Sequence, residues 1–360
     1  MYLSSAEIEN MVKIDGSKPI LVTGGTGYIA SWIVKYLLDE GHTVHTTVRN
    51  VQNRDRFAHL ETAAKASKGR LKVFEADLLR KNSFLESMEG CELVIHTASP
   101  FFVTGIKDPE RELVIPALEG TRNVLDAVNA SPFVRRVVLT SSCASIYGDN
   151  ADIKLTKNGV FTEEYWNTTS SVSHNPYSYS KKIAEEEAWK IASEQSRWDL
   201  ISINPAFVLG PSLTKRTDST SISTMIMLGN GTYRFGVPEL WFGITDVRDV
   251  ARSHILAGFS ENASGRHIIC SDSLELLKIA EILKKKFGSK YAFPGMKVPF
   301  FLIWLLGPLL GFSRSYIEKN IGAPVRFDNS WAKQDLGLQF TDAEKTITDH
   351  FQQLIEDGLV

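Results

Sequence analysis

Cysteine is scarce. Cys91, Cys143 and Cys270 are three in 360 residues, odd in number, far apart and without metal-ligand spacing. They form no disulfide framework, and free thiols in a reducing compartment are the simplest reading, so a cytoplasmic location is expected. The sequons at Asn167, Asn230 and Asn262 then read as chance matches. Charge of one sign is also missing. With 40 Lys and Arg against 42 Asp and Glu the net charge is −2, which gives no electrostatic case for nucleic acid or for an anionic membrane surface. No basic end followed by an apolar run opens the chain, and Met1–Lys18 reads as a short polar extension. The longest apolar stretch, "VPFFLIWLLGPLLGF" at 298–312, is interrupted by Gly307-Pro308. It falls short of the roughly 20 residues that a spanning helix needs. It reads as a buried or pocket-covering element, with interfacial membrane contact as the second reading. Neither His96 nor His174 has a partner at metal-ligand spacing, so no metal is expected.

What is present is a rhythm. From Pro19 a short apolar run, a turn and an amphipathic helix recur. "PILVTGG", "HTVHTTVR", "LKVFEAD", "CELVIHTAS", "VRRVVLTSS" and "DLISINPAFVLG" read as strands. Helices are predicted over "YIASWIVKYLLDEG", residues 53–66, "SFLESMEG", "PERELVIPALEGTRNVLDAVNAS" and the segment opening at Pro176. Such alternation predicts an α/β, Rossmann-type doubly wound parallel sheet, with ligands bound beyond the carboxyl ends of its strands. After Pro211 the rhythm breaks. "ITDVRDVARSHILAGF" and "ELLKIAEILKKKFG" look helical, and Pro294–Pro324 looks apolar and irregular. The expected organisation is therefore an extension at 1–18 and a nucleotide-binding domain at 19–210. A smaller C-terminal substrate lobe at 211–360 interleaves with late elements of the sheet.

"VTGGTGYIAS" places Gly24, Gly27 and Ala30 between the first strand and its helix. A tight turn, close backbone approach and a small residue at the strand–helix contact suit a pyrophosphate at a helix N-terminus. The spacing is G-x-x-G-x-x-A, for which a plain structural turn is the alternative. Where the second strand ends, a reader of a ribose 2′-hydroxyl would be acidic. Here Arg49 and, seven residues on, Arg56 stand instead, and guanidinium groups favour a 2′-phosphate, hence NADP(H) over NAD. Asp77 ends the third predicted strand and suits an adenine amine or a turn, and "HTASP" ends the fourth near the ribose path.

Tyr177 and Lys181 lie four apart and share a helix face, and Ser142 follows the fifth strand. A nearby cation lowers a phenol from its usual value of about 10, which predicts a tyrosine able to exchange a proton with a carbonyl oxygen. Ser142 would hydrogen-bond the same oxygen. Phe101, Phe102, Tyr147, Phe207, Tyr233, Trp241 and Phe242 are candidates for an apolar substrate pocket or for core.

Together "VTGGTGYIASWIVKYLLDEGHTVHTTVRN", "FEADL", "HTASPF", "RRVVLTSS", "YSYSKKIAEEEAWK", "INPAFVLGP", "ITDVRDVARSHILAGF" and "GRHIICSD" resemble the extended short-chain dehydrogenase/reductases. Within them the resemblance is to the dihydroflavonol reductase and cinnamoyl-CoA reductase-like branch, from about Ile20 to Asp272. It implies an NADPH-dependent carbonyl reductase with Ser142, Tyr177 and Lys181 as its triad. It further implies Gly24, Gly27, Tyr28 and Ile29 at the pyrophosphate, Arg49 and Arg56 at the 2′-phosphate, and Asp77 and Leu78 at adenine. Thr97, Ala98 and Ser99 would follow the ribose, and Pro205, Ala206, Phe207 and Val208 would flank the nicotinamide. Two positions depart from the branch. Tyr147 stands where flavonoid reductases carry Asn, and "NPYSYSK" where many cinnamoyl-CoA reductases carry Asn-Trp-Tyr-Cys before the lysine. A generic reductase of hydrophobic aldehydes or ketones is what remains, as monomer or homodimer. The alternatives are a 3β-hydroxysteroid dehydrogenase, a nucleotide-sugar epimerase or dehydratase, and a catalytically silent nucleotide-binding scaffold.

Overall fold

The computed structural model describes residues 12–99 and 107–360. Its first half is built from β1 (Ile20–Thr23), α1 (Tyr28–Asp39), β2 (Thr43–Val48), α2 (Ala58–Ala66), β3 (Arg70–Glu75) and β4 (Leu93–His96). Helix α3 (Ile115–Ala130), β5 (Arg136–Thr140), α4 (Pro176–Ser193) and β6 (Asp199–Pro205) follow. With β9 (Gly265–Ile269) the strands form one seven-stranded sheet, ordered β3-β2-β1-β4-β5-β6-β9 and parallel throughout. The order reverses between β1 and β4, and that switch point opens a crevice at the carboxyl ends of both strands.

Alternate side chains of each strand supply opposite faces. Ile20 and Val22 point to a core with Ile33, Val34, Leu37 and Leu38 of α1 and with Val250 and Ala251 of α6 (Val247–Phe259). Leu21, Val94 and Val137 point to the other face, against Val124, Leu125 and Val128 of α3 and Ala188 of α4. The sheet is thus buried on both sides, which is why its strands read as continuous apolar runs.

The lobe has its own core around Leu209, Ile222, Ile244, Leu276, Ile279 and Phe351. They come from β7 (Phe207–Leu209), α5 (Thr220–Gly229), β8 (Trp241–Asp246), α7 (Leu276–Phe287) and α11 (Ala343–Glu356). A small sheet, ordered β10-β8-β7 with β10 at Asp272–Glu275, carries it. Between α7 and α11 lie α8 (Phe300–Leu306), α9 (Arg314–Asn320) and α10 (Ser330–Asp335).

Several elements differ from the sequence reading. "DLISINPAFVLG" is two strands in two sheets: β6 pairs with β9 as far as Pro205 opposite Ile269, and Phe207–Leu209 pair with Ile244–Asp246 instead. Ile244–Asp246 end a strand, and the helix starts only at Val247, where the Asp246 carboxylate accepts from the Arg248 N–H at 2.8 Å. Residues 110–114 form a wider π-turn before α3, which begins with Pro116 in its first turn. "SFLESMEG" has only a 3₁₀ turn, Glu86–Met88, and Pro294–Pro324 contains α8 and α9 rather than irregular chain. The stretch 298–312 is not buried: Phe301 is 65% and Leu309 84% exposed.

Candidate active site

The crevice is a cavity of about 520 Å³ running from the glycine loop to the lobe. At one end Gly24 adopts φ +68, and a Cβ there would lie 3.1 Å from the Ala98 backbone. A Cβ on Gly25 would strike the Thr46 hydroxyl at 2.1 Å. The loop is pinned by Gly24 N–H donating to the Thr47 hydroxyl at 2.9 Å and Ser31 Oγ donating to the Gly25 carbonyl at 3.0 Å. Gly27 caps α1 without a side chain, so the first-turn N–H groups of α1 remain open among the described residues, and Gly27, Tyr28, Ile29 and Ala30 line the cavity. This is a cradle for a phosphate at a helix N-terminus.

Three arginines follow β2. Arg54 is held by Glu61, whereas Arg49 and Arg56 are exposed and have no ion pair among the described residues. Two guanidinium groups therefore stand uncommitted beyond the strand next to the cradle, which fits a 2′-phosphate. β3 ends at Glu75, two residues before Asp77, whose carboxylate accepts from Leu79 N–H at 2.8 Å in a local turn. The Leu78 carbonyl accepts from the Asn123 amide at 2.7 Å, and Leu78 and Ala98 line a smaller cavity beside Lys181 rather than the large one. At the end of β4, Thr97 and Ala98 N–H groups share the Thr23 hydroxyl at 3.1 and 3.0 Å. His96 contacts that hydroxyl at 2.9 Å. Burial first, then the Lys181 charge, pull it down to about 3, so it is a neutral spacer.

Ser142, Tyr177 and Lys181 meet on the middle wall of the large cavity, with Thr97 and Ser99 beside them. Ser142 opens a 3₁₀ turn, Cys143–Ser145, and accepts from Ala144 N–H at 3.1 Å. Its side chain is hydrogen-bonded to Tyr177, and Lys181 Nζ donates to the Ser99 hydroxyl at 2.9 Å. The sequence predicts a tyrosine lowered by its lysine. Instead burial pushes Tyr177 up to about 12, only partly opposed by the Ser142 hydrogen bond, and burial pulls Lys181 down to about 8. The ammonium lies 5.8 Å from the phenol ring centroid and is directed to Ser99, so desolvation outweighs the pairing.

The turn bearing Ser142 is braced from behind. Glu185 of α4 accepts from Arg266 Nε at 2.7 Å, and its other oxygen accepts from the Ser141 and Ser145 hydroxyls at 2.5 Å each and from the Asn204 amide at 2.8 Å. Burial would raise this carboxyl, but Arg266 and the hydroxyl donors hold it below its ordinary value. Cys143 is buried with its thiol pushed well up by burial, a packing residue.

Toward the lobe, Pro205, Ala206, Phe207, Val208, Tyr147 and Trp241 line the cavity, as does Phe242, which stacks on Phe207 at 4.9 Å. Tyr147 stacks on Phe161 at 4.7 Å. Tyr233 does not line the cavity; it packs against the lobe core. Phe101 and Phe102 lie outside the described residues.

Among the lining residues that sequence reasoning missed are Asn175 and Arg216. Asn175 caps α4 at φ 55 and donates to the Gly148 carbonyl at 2.6 Å, setting the entry that delivers Tyr177. Asn-Pro ahead of a helix was its signal. Arg216 reaches the Thr26 carbonyl of the glycine loop at 3.4 Å and Asp218 at 2.7 Å. Only the fold brings that loop over the cradle.

Comparison with known proteins places this geometry. The model of the NAD dependent epimerase/dehydratase family matches residues 20–269. The chain is 35% identical to cinnamoyl-CoA reductase CAD2 of Medicago truncatula, covering 98% of each chain. It is likewise 35% identical to anthocyanidin reductase of Arabidopsis thaliana, over 76% of this chain and 81% of that one. In structure it is similar to the yeast methylglyoxal/isovaleraldehyde reductase Gre2 complexed with NADPH, at TM-score 0.77 and 29% identity, covering 95% of this chain and 100% of that one. The seven-stranded parallel sheet, the glycine cradle and these likenesses agree: the chain belongs to the NAD dependent epimerase/dehydratase family, in its dihydroflavonol reductase and cinnamoyl-CoA reductase-like branch.

Proposed function

We propose that this chain is an NADPH-dependent reductase of small or medium hydrophobic aldehydes or ketones, with Tyr177 as proton donor. The observation that carries the reading is the joint presence of Ser142, Tyr177 and Lys181 on one cavity wall, between a phosphate cradle and an aromatic-lined end. The bound cofactor supplies hydride. Gly27, Tyr28 and Ile29 would hold its pyrophosphate through open backbone N–H groups, and Arg49 and Arg56 its 2′-phosphate.

The chain's own groups do the rest. Tyr177 is protonated at neutral pH, since burial raises it, so it is set to give its proton to a carbonyl oxygen as that oxygen gains charge. The hydroxyl of Ser142, already joined to Tyr177, positions the same oxygen. Lys181 holds a positive charge 5.8 Å from the Tyr177 ring centroid, and that charge stabilises the phenolate left after transfer. Phe207, Phe242, Trp241 and Tyr147 give an apolar surface within the cavity, which favours a hydrophobic carbonyl.

A carbonyl panel followed by NADPH absorbance tests the reading. Aromatic and branched aliphatic aldehydes or ketones should turn over, and CoA thioesters and flavonoid substrates should be slower. Faster oxidation of a steroid alcohol with NAD than of any carbonyl with NADPH would replace it with the hydroxysteroid dehydrogenase alternative.

A further inference from the structure

The chain's overall charge conceals a local asymmetry. Between Glu281 and Glu318 there is no Asp or Glu, while Lys284, Lys285, Lys286, Lys290, Lys297 and Arg314 all fall there. The same stretch carries seven of the fifteen large apolar side chains that the described residues leave exposed, all between Met296 and Phe312. An exposed apolar patch with a basic flank is unusual on a soluble surface.

The patch is held in shape. Gly307 is buried under α9, where a Cβ would lie 2.5 Å from the Ile317 side chain, and the Phe312 N–H returns to the Gly307 carbonyl at 3.0 Å. Phe312 stacks on Tyr316 at 5.8 Å. Its apolar side chains therefore point outward from an anchored turn. Each side of the patch carries an arginine over an aromatic ring. Arg314 sits 4.3 Å over Trp304, whose indole N–H donates to Glu318 at 2.8 Å. Arg234 sits 4.6 Å over Phe235, a ring 77% exposed, and the bridge Val237–Lys297 joins that loop to the patch. Lys285 is paired with Glu344 and Lys297 with Glu239 and Glu275, whereas Lys284, Lys286 and Lys290 are exposed and form no ion pair among the described residues, Lys290 lying 5.4 Å over the Tyr291 ring.

We propose that this surface docks the protein on an anionic lipid bilayer, with the turn at 300–312 in the interface and the basic side chains at the headgroups. Among the described residues no helix is long and apolar enough to cross a membrane, so the contact is peripheral. A second copy of the chain fits the surface less well. A two-fold contact would set the basic flank against itself, whereas anionic headgroups neutralise it. The docked helix α9 also carries Tyr316 and Asn320 into the wall of the large cavity, which brings membrane-dissolved carbonyl compounds near the site. Docking through this surface is independent of the proposed reaction.

Co-sedimentation with phosphatidylcholine vesicles, with and without phosphatidylserine, tests it. The full chain should bind the phosphatidylserine vesicles, and rising salt should weaken binding. The double variant Phe301→Glu/Leu309→Glu should lose at least about tenfold in vesicle affinity while melting temperature and turnover of a water-soluble carbonyl stay unchanged. The variant Lys284→Glu/Lys286→Glu should lose the phosphatidylserine dependence. No binding to either vesicle would overturn the proposal. So would a dimer in sedimentation velocity that Phe301→Glu/Leu309→Glu converts to monomer without any vesicle binding by the parent.

Discussion

The Lys181 ammonium donates to the Ser99 hydroxyl at 2.9 Å, tying helix α4 to the end of strand β4. The residue expected to act on Tyr177 is thus committed first to a residue of the neighbouring strand end. That placement sets a pH response. Lys181 is charged below about 8 and neutral above it, while Tyr177, near about 12, stays protonated throughout. The kcat/KM for carbonyl reduction should therefore fall as pH rises through about 8. Ser99→Ala removes an acceptor of the charged form and should move that fall to lower pH. A profile flat to about pH 10 would contradict the assignment.

The same burial predicts a trade between activity and stability. A lysine lowered in the folded state binds its proton less well than in the unfolded chain, so it destabilises the fold below about 8 and the effect fades as pH rises toward 10.5. Lys181→Met should raise the melting temperature at pH 7 by about 2–4 °C and abolish turnover. In thermal melts the gain should shrink at high pH.

Removing one side of the buried Glu185–Arg266 pair leaves an uncompensated charge. Glu185→Gln should destabilise by about 3–5 kcal/mol, read from urea unfolding. The folded pKa of Glu185 is depressed, so the pair's contribution is present above about 4.5, the ordinary carboxyl value, and is lost as pH falls through the lower folded value. The difference between parent and variant should therefore narrow in acid. An equal difference across that range would assign the loss to packing alone.

Arg49 and Arg54 are exposed neighbours with different commitments, since Arg54 is paired with Glu61. Arg49→Ala should weaken NADPH binding by about tenfold or more and leave NADH binding unchanged, whereas Arg54→Ala should change neither. Fluorescence titration with both cofactors distinguishes these outcomes.

The parallel sheet was legible because its strands are continuous apolar runs separated by amphipathic helices, and the glycine loop because its residues answer local steric demands. The Tyr177–Lys181 pair was legible for a like reason, as helical spacing alone puts both on one face. What was hidden depends on distant neighbours. The break at Pro205 sends β7 to a second sheet through pairing with a strand some forty residues on. Arg216 reaches the cradle across 190 residues of sequence. The balance between burial and charge at Tyr177 depends on which way Lys181 turns, and no spacing encodes that. The exposure of 298–312 is equally non-local, since apolar composition does not say which face the fold covers.

The most direct test is Tyr177→Phe, measured as single-turnover reduction of a hydrophobic aldehyde alongside NADPH affinity. The phenol is the proposed donor and its ring remains in the variant, so cofactor affinity should hold within about twofold while the reduction rate falls by about 10²–10⁴. A reduction rate within about tenfold of the parent, with the cofactor still bound, would contradict the account.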